Sequence, residues 1–240
     1  IKPKYIFFVD DNICSNITRA KKLFKALIPL KIKWFSQGSI HMAKDINLLT
    51  LMKSSGCTGV LIGFESLNKT LLKTMNKPVN IAFDFQKSVN LIQHHGIRIY
   101  GSFIFGYGEN RSAFDKALNF SIRNKLFIVA FNHLIPFPGT PLYNRLKKEK
   151  KLINDPWWLN KNYKFGDVAF YPPNYTPKEL SILSYEYRNK FYTYSSIIKR
   201  LFNMSTNFDS IFSFYAYLHI NIMSKYDVVK RQRIPLGTKE

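Results

Sequence analysis

The residues able to do chemistry in this sequence gather directly behind its apolar runs. Asp10-Asp11-Asn12 ends the run at residues 5–9. Two carboxylates and an amide there can take a cation, an ammonium or ribose hydroxyls; the plain alternative is a turn closed by Asx side chains. Gln37 follows a second run, residues 32–35, and Glu65-Ser66 follows a third, residues 60–63. A carboxylate at a strand end facing a ribose is a recurrent nucleoside device, against which stands an ordinary salt bridge to a nearby lysine. Gly63, beside it, lets backbone or ligand approach closely. Gly101 and Gly106 sit on one apolar segment, where flat backbone can lie against a planar ring. Pro136-Phe-Pro-Gly-Thr-Pro141 is stiff enough to wall a pocket, or simply leads into a helix.

Metal and nucleophile chemistry has less to build on. The 5 histidines show no metal-ligand spacing, and His94-His95 stands where a helix end is expected. The 2 cysteines, Cys14 and Cys57, can make neither a disulfide scaffold nor a four-cysteine site. No phosphate-binding loop, dinucleotide fingerprint or nucleophile elbow is present. No catalytic residue and no metal ligand is assigned.

The elements that must position these residues follow a simple rhythm. Residues 5–9, 32–35, 60–63, 97–105 and 126–134 read as strands, continuous apolar runs of the kind buried on both faces of a parallel sheet. Residues 16–27, 45–53, 69–75 with 81–95, and 112–123 carry apolar side chains at helical spacing. Asn16 is placed to cap the first helix; Gly56 and Gly96 stop later ones. Strand and helix alternate about every 30 residues, which predicts a parallel sheet. In a (β/α) barrel the residues behind each strand line the carboxyl face.

After Pro141 the rhythm changes. A basic helix is expected over 142–152, then an aromatic section with Trp157, Trp158 and Tyr163 and a strand at 168–171. Thr176-Pro177-Lys178-Glu179 has the outline of a capping box opening a helix that runs to about residue 200. A last apolar helix spans 208–226. The expected division is a partial barrel over 1–150 and an aromatic linker with helical extension over 151–240.

Composition bounds the function. With 46% apolar and 16% aromatic residues the chain can bury a core, and 11 glycines and 11 prolines are too few for a low-complexity segment. No stretch reaches the roughly 18 apolar residues of a spanning helix; the nearest, 208–223, holds Asp209, His219 and Asn221. No secretory leader pattern opens the sequence, so a cytoplasmic location is expected. Lys and Arg number 36 against 15 Asp and Glu, a net charge of +21. That suits a polyanion, nucleic acid or an anionic membrane, or merely lysine-rich solvated helix faces. Peripheral membrane contact would run through 208–226, flanked by Lys199, Arg200, Lys225 and Lys230; packing on the barrel is the plainer use of that helix.

Taken in order, these segments resemble the radical SAM superfamily, and more closely its subgroup that usually carries an N-terminal cobalamin-binding domain. The matching pieces are Phe8-Val-Asp-Asp-Asn-Ile13, Trp34-Phe-Ser-Gln37, Leu51-Met-Lys-Ser-Ser-Gly-Cys57, Ile62-Gly-Phe-Glu-Ser66, Met75-Asn-Lys77, Gly96-Ile97 with Gly101-Ser-Phe-Ile-Phe-Gly106, and Pro136-Phe-Pro-Gly-Thr-Pro-Leu-Tyr143, spread from about residue 5 to about residue 200.

The resemblance implies an α/β fold: a partial (β/α)6 barrel of about five parallel strands with a mainly helical C-terminal extension. It implies S-adenosylmethionine and a [4Fe–4S] cluster that cleaves it reductively, with cobalamin a further cofactor in full-length relatives. By position, Asp10, Asp11 and Asn12 would face the methionyl amino group, Glu65 the ribose region, Lys77 the methionyl carboxylate, and Gly101, Gly106 and Pro136 the adenine. Gln37 and Ser66 complete the cofactor-binding candidates. The family's CxxxCxxC motif is absent, and two distant cysteines cannot replace three converging thiolates. The chain therefore reads as the C-terminal part of a radical SAM domain, inactive alone, whose partners are an upstream cluster-binding segment and a small-molecule or lipid substrate. Methylation or rearrangement of a lipid, antibiotic or tetrapyrrole-like substrate is the reaction class implied. The alternative is a catalytically inert basic module for nucleic acid or anionic membrane, marked by Trp157, Trp158 and Tyr163 stacked among clustered cations.

Overall fold

The computed structural model describes residues 3–76 and 78–235. Five strands, β1 (Tyr5–Phe8), β2 (Lys33–Gly38), β3 (Cys57–Glu65), β4 (Arg98–Phe105) and β5 (Ile128–His133), form one sheet in chain order, every neighbouring pair parallel. Parallel neighbours need a crossover. Helices supply it: α1 (Ile17–Leu27), α2 (Ile46–Ser54), α3 (Lys69–Thr74), α4 (Pro78–Ile81) and α5 (Phe85–His94), then α6 (Arg111–Arg123). Four more follow β5: α7 (Pro141–Lys148), α8 (Pro177–Phe191), α9 (Tyr194–Leu201) and α10 (Ile211–Arg231).

The helix starts obey local chemistry. Asn16 Oδ1 accepts the Arg19 amide at 3.0 Å and Asp45 Oδ1 the Leu48 amide at 2.9 Å, each satisfying a donor the helix cannot. At α8 the capping box is complete: Glu179 Oε2 accepts the Thr176 amide at 2.7 Å and Thr176 Oγ1 the Glu179 amide at 3.2 Å. The single helix expected from 176 to about 200 is two. α8 stops at Phe191, and Thr193 caps α9 by accepting the Ser196 amide. No strand forms at 168–171; Phe170 makes an isolated bridge with Leu152. Gln37 lies inside β2, not behind it.

Only one face of the sheet carries the crossover helices. There Trp34, Ile62, Phe64, Phe103 and Phe131 are fully buried. Trp34 stacks on Phe24 of α1 with centroids 5.0 Å apart and donates Nε1 to the Ser55 carbonyl at 3.1 Å. α8 joins this core where Phe191 meets Phe131 at 6.1 Å. The opposite, concave face departs from the two-sided burial the apolar runs suggest. Phe7, Phe35 and Tyr100 on it are 45%, 48% and 36% exposed. The Phe7 and Phe35 rings stack there at 4.6 Å and 25°.

Candidate functional site

Because all five strands are parallel, their carboxyl ends share one edge. In register Phe8 stands beside Ser36, Gly38 beside Ile62, Gly63 beside Ser102 and Phe105 beside His133. Asp10 and Asp11 behind β1, Gln37 near the end of β2, Glu65 ending β3 and Gly106 behind β4 therefore open on one rim. The loop after β1 is pinned to its neighbour: the Ile13 amide donates to the Gln37 carbonyl at 3.0 Å and Ser36 Oγ to the Phe8 carbonyl at 2.8 Å. Asp10 and Asp11 are exposed. Asn12 Oδ1 accepts the Cys14 amide at 3.2 Å, the turn-closing alternative.

Glu65 is the most specifically placed of the group. β3 slips register between Gly63 and Glu65, and Glu65 takes left-handed backbone at φ 62°. Such backbone is uncommon for a residue with a side chain, and bulges beside sites re-aim side chains. Its carboxylate folds back over Gly63, where an added Cβ would lie 2.6 Å from Oε1. Asn80 steadies the strand end, donating Nδ2 to the carbonyls of Gly63 at 2.9 Å and Phe64 at 3.0 Å. Ser66 is turned to structure: its Oγ accepts the Asn68 amide at 3.0 Å on the way into α3.

The glycines and proline serve packing. Gly101 is a correction to the sequence-based placement. It lies about 16 Å below the rim, five residues before Gly106, and an added Cβ would meet the Phe64 ring at 3.2 Å on the helix-covered face. Gly106, at φ 121°, would bring a Cβ within 3.1 Å of Phe170. Its amide and that of Tyr107 donate to the Glu109 carboxylate, the second at 3.0 Å. Burial pushes Glu109 above the ordinary carboxylate range, and these amides partly offset it. In the sequence Glu109 stands among the polar residues behind the strands but outside the cofactor-binding candidates, and its role here is to close the turn. Pro136 is buried, and its carbonyl accepts Trp157 Nε1 at 3.1 Å. Lys77 lies outside the described residues.

The chemistry of the donor set decides which cofactors fit. Carboxylates at Asp10, Asp11 and Glu65 with the Gln37 amide match an ammonium and ribose hydroxyls, so the rim fits S-adenosylmethionine. The cluster does not fit these residues. Cys14 and Cys57 are buried, and desolvation drives the Cys14 thiol up to about 12 and that of Cys57 higher. Among the described residues no three His, Cys, Asp or Glu converge to hold a metal.

Two expectations about basic surfaces are altered by packing. Trp157 and Tyr163 face each other at 4.8 Å, and Tyr163 donates its hydroxyl to the Asp167 carbonyl at 2.8 Å. They fill a plug rather than stand open for stacking. Arg200, counted with the cations flanking the last helix, is completely buried. No described helix is long and apolar enough to cross a membrane.

No family model matches the sequence. The bacteriochlorophyllide d C-12(1)-methyltransferase of Chlorobaculum tepidum is 29% identical over 195 residues, covering 81% of this chain and 42% of that protein. The hopanoid C-2 methylase of Rhodopseudomonas palustris is 26% identical over 157 residues, 62% of this chain and 30% of that one. Among solved structures, the radical S-adenosylmethionine methyltransferase TsrM of Kitasatospora setae, solved with cobalamin and a [4Fe–4S] cluster bound, aligns over 61% of this chain and 31% of its own at 17% identity, TM-score 0.53. The five-stranded parallel sheet is the partial barrel of that radical S-adenosylmethionine enzyme's fold, and in sequence the chain is similar to the two methyl-transferring relatives over 62–81% of its length. The chain spans less than half the length of either relative.

Proposed function

We propose that this chain is the S-adenosylmethionine-binding part of a longer radical SAM methyltransferase, one that also uses cobalamin. The observation that carries this reading is the Glu65 carboxylate folded over Gly63 on the same rim as Asp10, Asp11 and Gln37. Asp10 and Asp11 receive the ammonium of the methionyl group, and Glu65 accepts from the ribose hydroxyls. When bound, S-adenosylmethionine supplies a transferable methyl group and a source of radical chemistry. The thiolates for the cluster come from a CxxxCxxC segment outside these 240 residues. Methyl transfer is favoured over rearrangement because the relatives are named methyltransferase and methylase. Their named targets, a bacteriochlorophyllide and a hopanoid, point to an acceptor with an extensive apolar body.

Calorimetric titration of the chain with S-adenosylmethionine tests the reading. One equivalent should bind, and Glu65→Gln and Asp11→Ala should each weaken binding by about tenfold, the loss of one charge-assisted hydrogen bond. Binding that is absent, or indifferent to both substitutions, overturns it.

A further inference from the structure

The open concave face ends in a cavity. α10 crosses the amino-terminal half of that face, and between helix and sheet lies a space of about 750 Å3. The sheet wall is Phe7, Phe35, Leu61, Tyr100 and Ile128; the helix wall is Phe212, Ala216 and Ile220. A volume of this size suits a small molecule. Walls on two opposed sides make it a slot for a slender guest, not a flat docking surface.

Charge is concentrated at one end. Lys33, Lys53 and Arg98 line the cavity where β2, β3 and β4 begin, against one acid, Asp209. That acid is already taken: Arg98 Nη2 pairs with Asp209 Oδ1 at 3.3 Å and donates to Ser213 Oγ at 2.6 Å, tying α10 to β4. Lys53 Nζ donates to a neutral acceptor, the Gly96 carbonyl at 3.2 Å, and among the described residues neither Lys53 nor Lys33 has an ion pair. The amino-terminal mouth thus carries two ammonium groups with no carboxylate partner among the described residues, beside an aromatic and aliphatic slot.

We propose that this cavity binds an elongated anionic amphiphile, its anionic group held by Lys33 and Lys53 and its apolar body lying between Phe35, Tyr100 and Ala216. This rests on the rim reading for one further consequence: the guest is then the methyl acceptor, entering from the end of the barrel opposite the cofactor. Lys33 and Gln37 are four residues apart on β2, about 13 Å along an extended strand. The reacting carbon therefore stands about that far from the charged group.

Fluorescence titration of the full chain with a dansyl-labelled undecanoate tests the site. One probe should bind per chain, and its methyl ester should bind about tenfold more weakly. Lys33→Glu, an exposed change that leaves packing alone, should weaken the acid by a similar factor and leave the ester unchanged. Ala216→Trp, which fills the slot, should abolish both without lowering the melting temperature. Equal affinity for acid and ester, or undiminished binding in a folded Ala216→Trp variant, overturns the proposal. S-adenosylmethionine binding, read on the same samples, should be unchanged in both variants. Probe binding with no S-adenosylmethionine binding would keep the cavity and remove the rim reading, so the two failures are distinguishable.

Discussion

His133, the last residue of β5, is buried on the helix-covered face, and its Nδ1 meets no hydrogen-bond partner among the described residues. Burial and the neighbouring Arg188 guanidinium push its pKa down from 6.5 to about 4, against a hydrogen bond with the Asp167 backbone. The folded state therefore holds a neutral imidazole over a range where the unfolded chain is already protonated. The sign follows from linkage. The contribution is fully present above pH 6.5 and is lost as the pH falls from 6.5 to about 4, where the native histidine finally takes its proton. The size is about 3 kcal/mol at 1.36 kcal/mol per unit. Denaturant melts of wild type and His133→Phe across that window provide the check: wild type should lose this much more stability than the variant. Parallel curves would place the acid sensitivity elsewhere.

At the scale of elements, Arg200 ties the C-terminal helices to one another and to the segment entering β5. Its guanidinium donates to the Leu126 and Phe127 carbonyls at 3.0 and 3.1 Å, to the Phe191 carbonyl at 3.1 Å and to Asn221 Oδ1 at 3.0 Å. It also lies 3.7 Å over the Phe191 ring. One side chain of α9 thus gathers the segment entering β5, the end of α8 and the middle of α10. Among the described residues no carboxylate pairs with it, and burial pushes its pKa down to about 10, still charged at neutral pH. Arg200→Met keeps the stem but takes the guanidinium donors from the buried Leu126 and Phe191 carbonyls and from Asn221 Oδ1, leaving the Phe127 carbonyl with Asn221 Nδ2 at 3.2 Å. It should cost about 3–5 kcal/mol in equilibrium unfolding, with Arg200→Lys recovering little because an ammonium cannot span the same acceptors. A loss below about 1 kcal/mol would mean that the helices are held by apolar packing instead. The same residue shows where sequence legibility stops. Asn16, Asp45 and the Thr176–Glu179 pair were readable because a cap is closed within three or four residues. The alternation of strand and helix was readable because periodicity is local too. Arg200 looked like a surface cation because its acceptors come from segments up to 74 residues away. The open concave face was hidden for a related reason: an apolar run does not say which of its faces the crossover helices will cover. At the rim, parallel topology alone puts Asp10, Asp11, Gln37 and Glu65 at one edge, while the bulge that turns Glu65 over Gly63 left no trace in the pattern. Gly101 was misplaced because a glycine admitting a ligand and one admitting a phenylalanine ring look alike in sequence.

Across the whole molecule, the rim acids and the thiols are built for opposite ends of thiolate and cofactor chemistry. A group meant to meet a ligand must be reachable and in its charged form; Asp10 and Asp11 meet the first condition at the sheet edge. The thiols meet neither. Cys14 lies in the core below the loop after β1, its carbonyl 3.0 Å from His41 Nε2, and Cys57 opens β3 with Sγ directed at the Gly59 carbonyl. A thiol raised to about 12 is thiolate in only about one molecule in 100,000 at neutral pH, and the thiolate is the form that binds iron. The native chain should therefore react with a disulfide reagent at neither cysteine on the timescale of mixing, whereas both should react in denaturant. Anaerobic treatment with iron and sulfide should leave no stoichiometric [4Fe–4S] absorbance while S-adenosylmethionine binding persists. A stoichiometric cluster on this chain alone would require both cysteines to leave the core and a third ligand from another residue type. It would refute the separation of nucleotide rim from cluster ligands on which the proposed function rests.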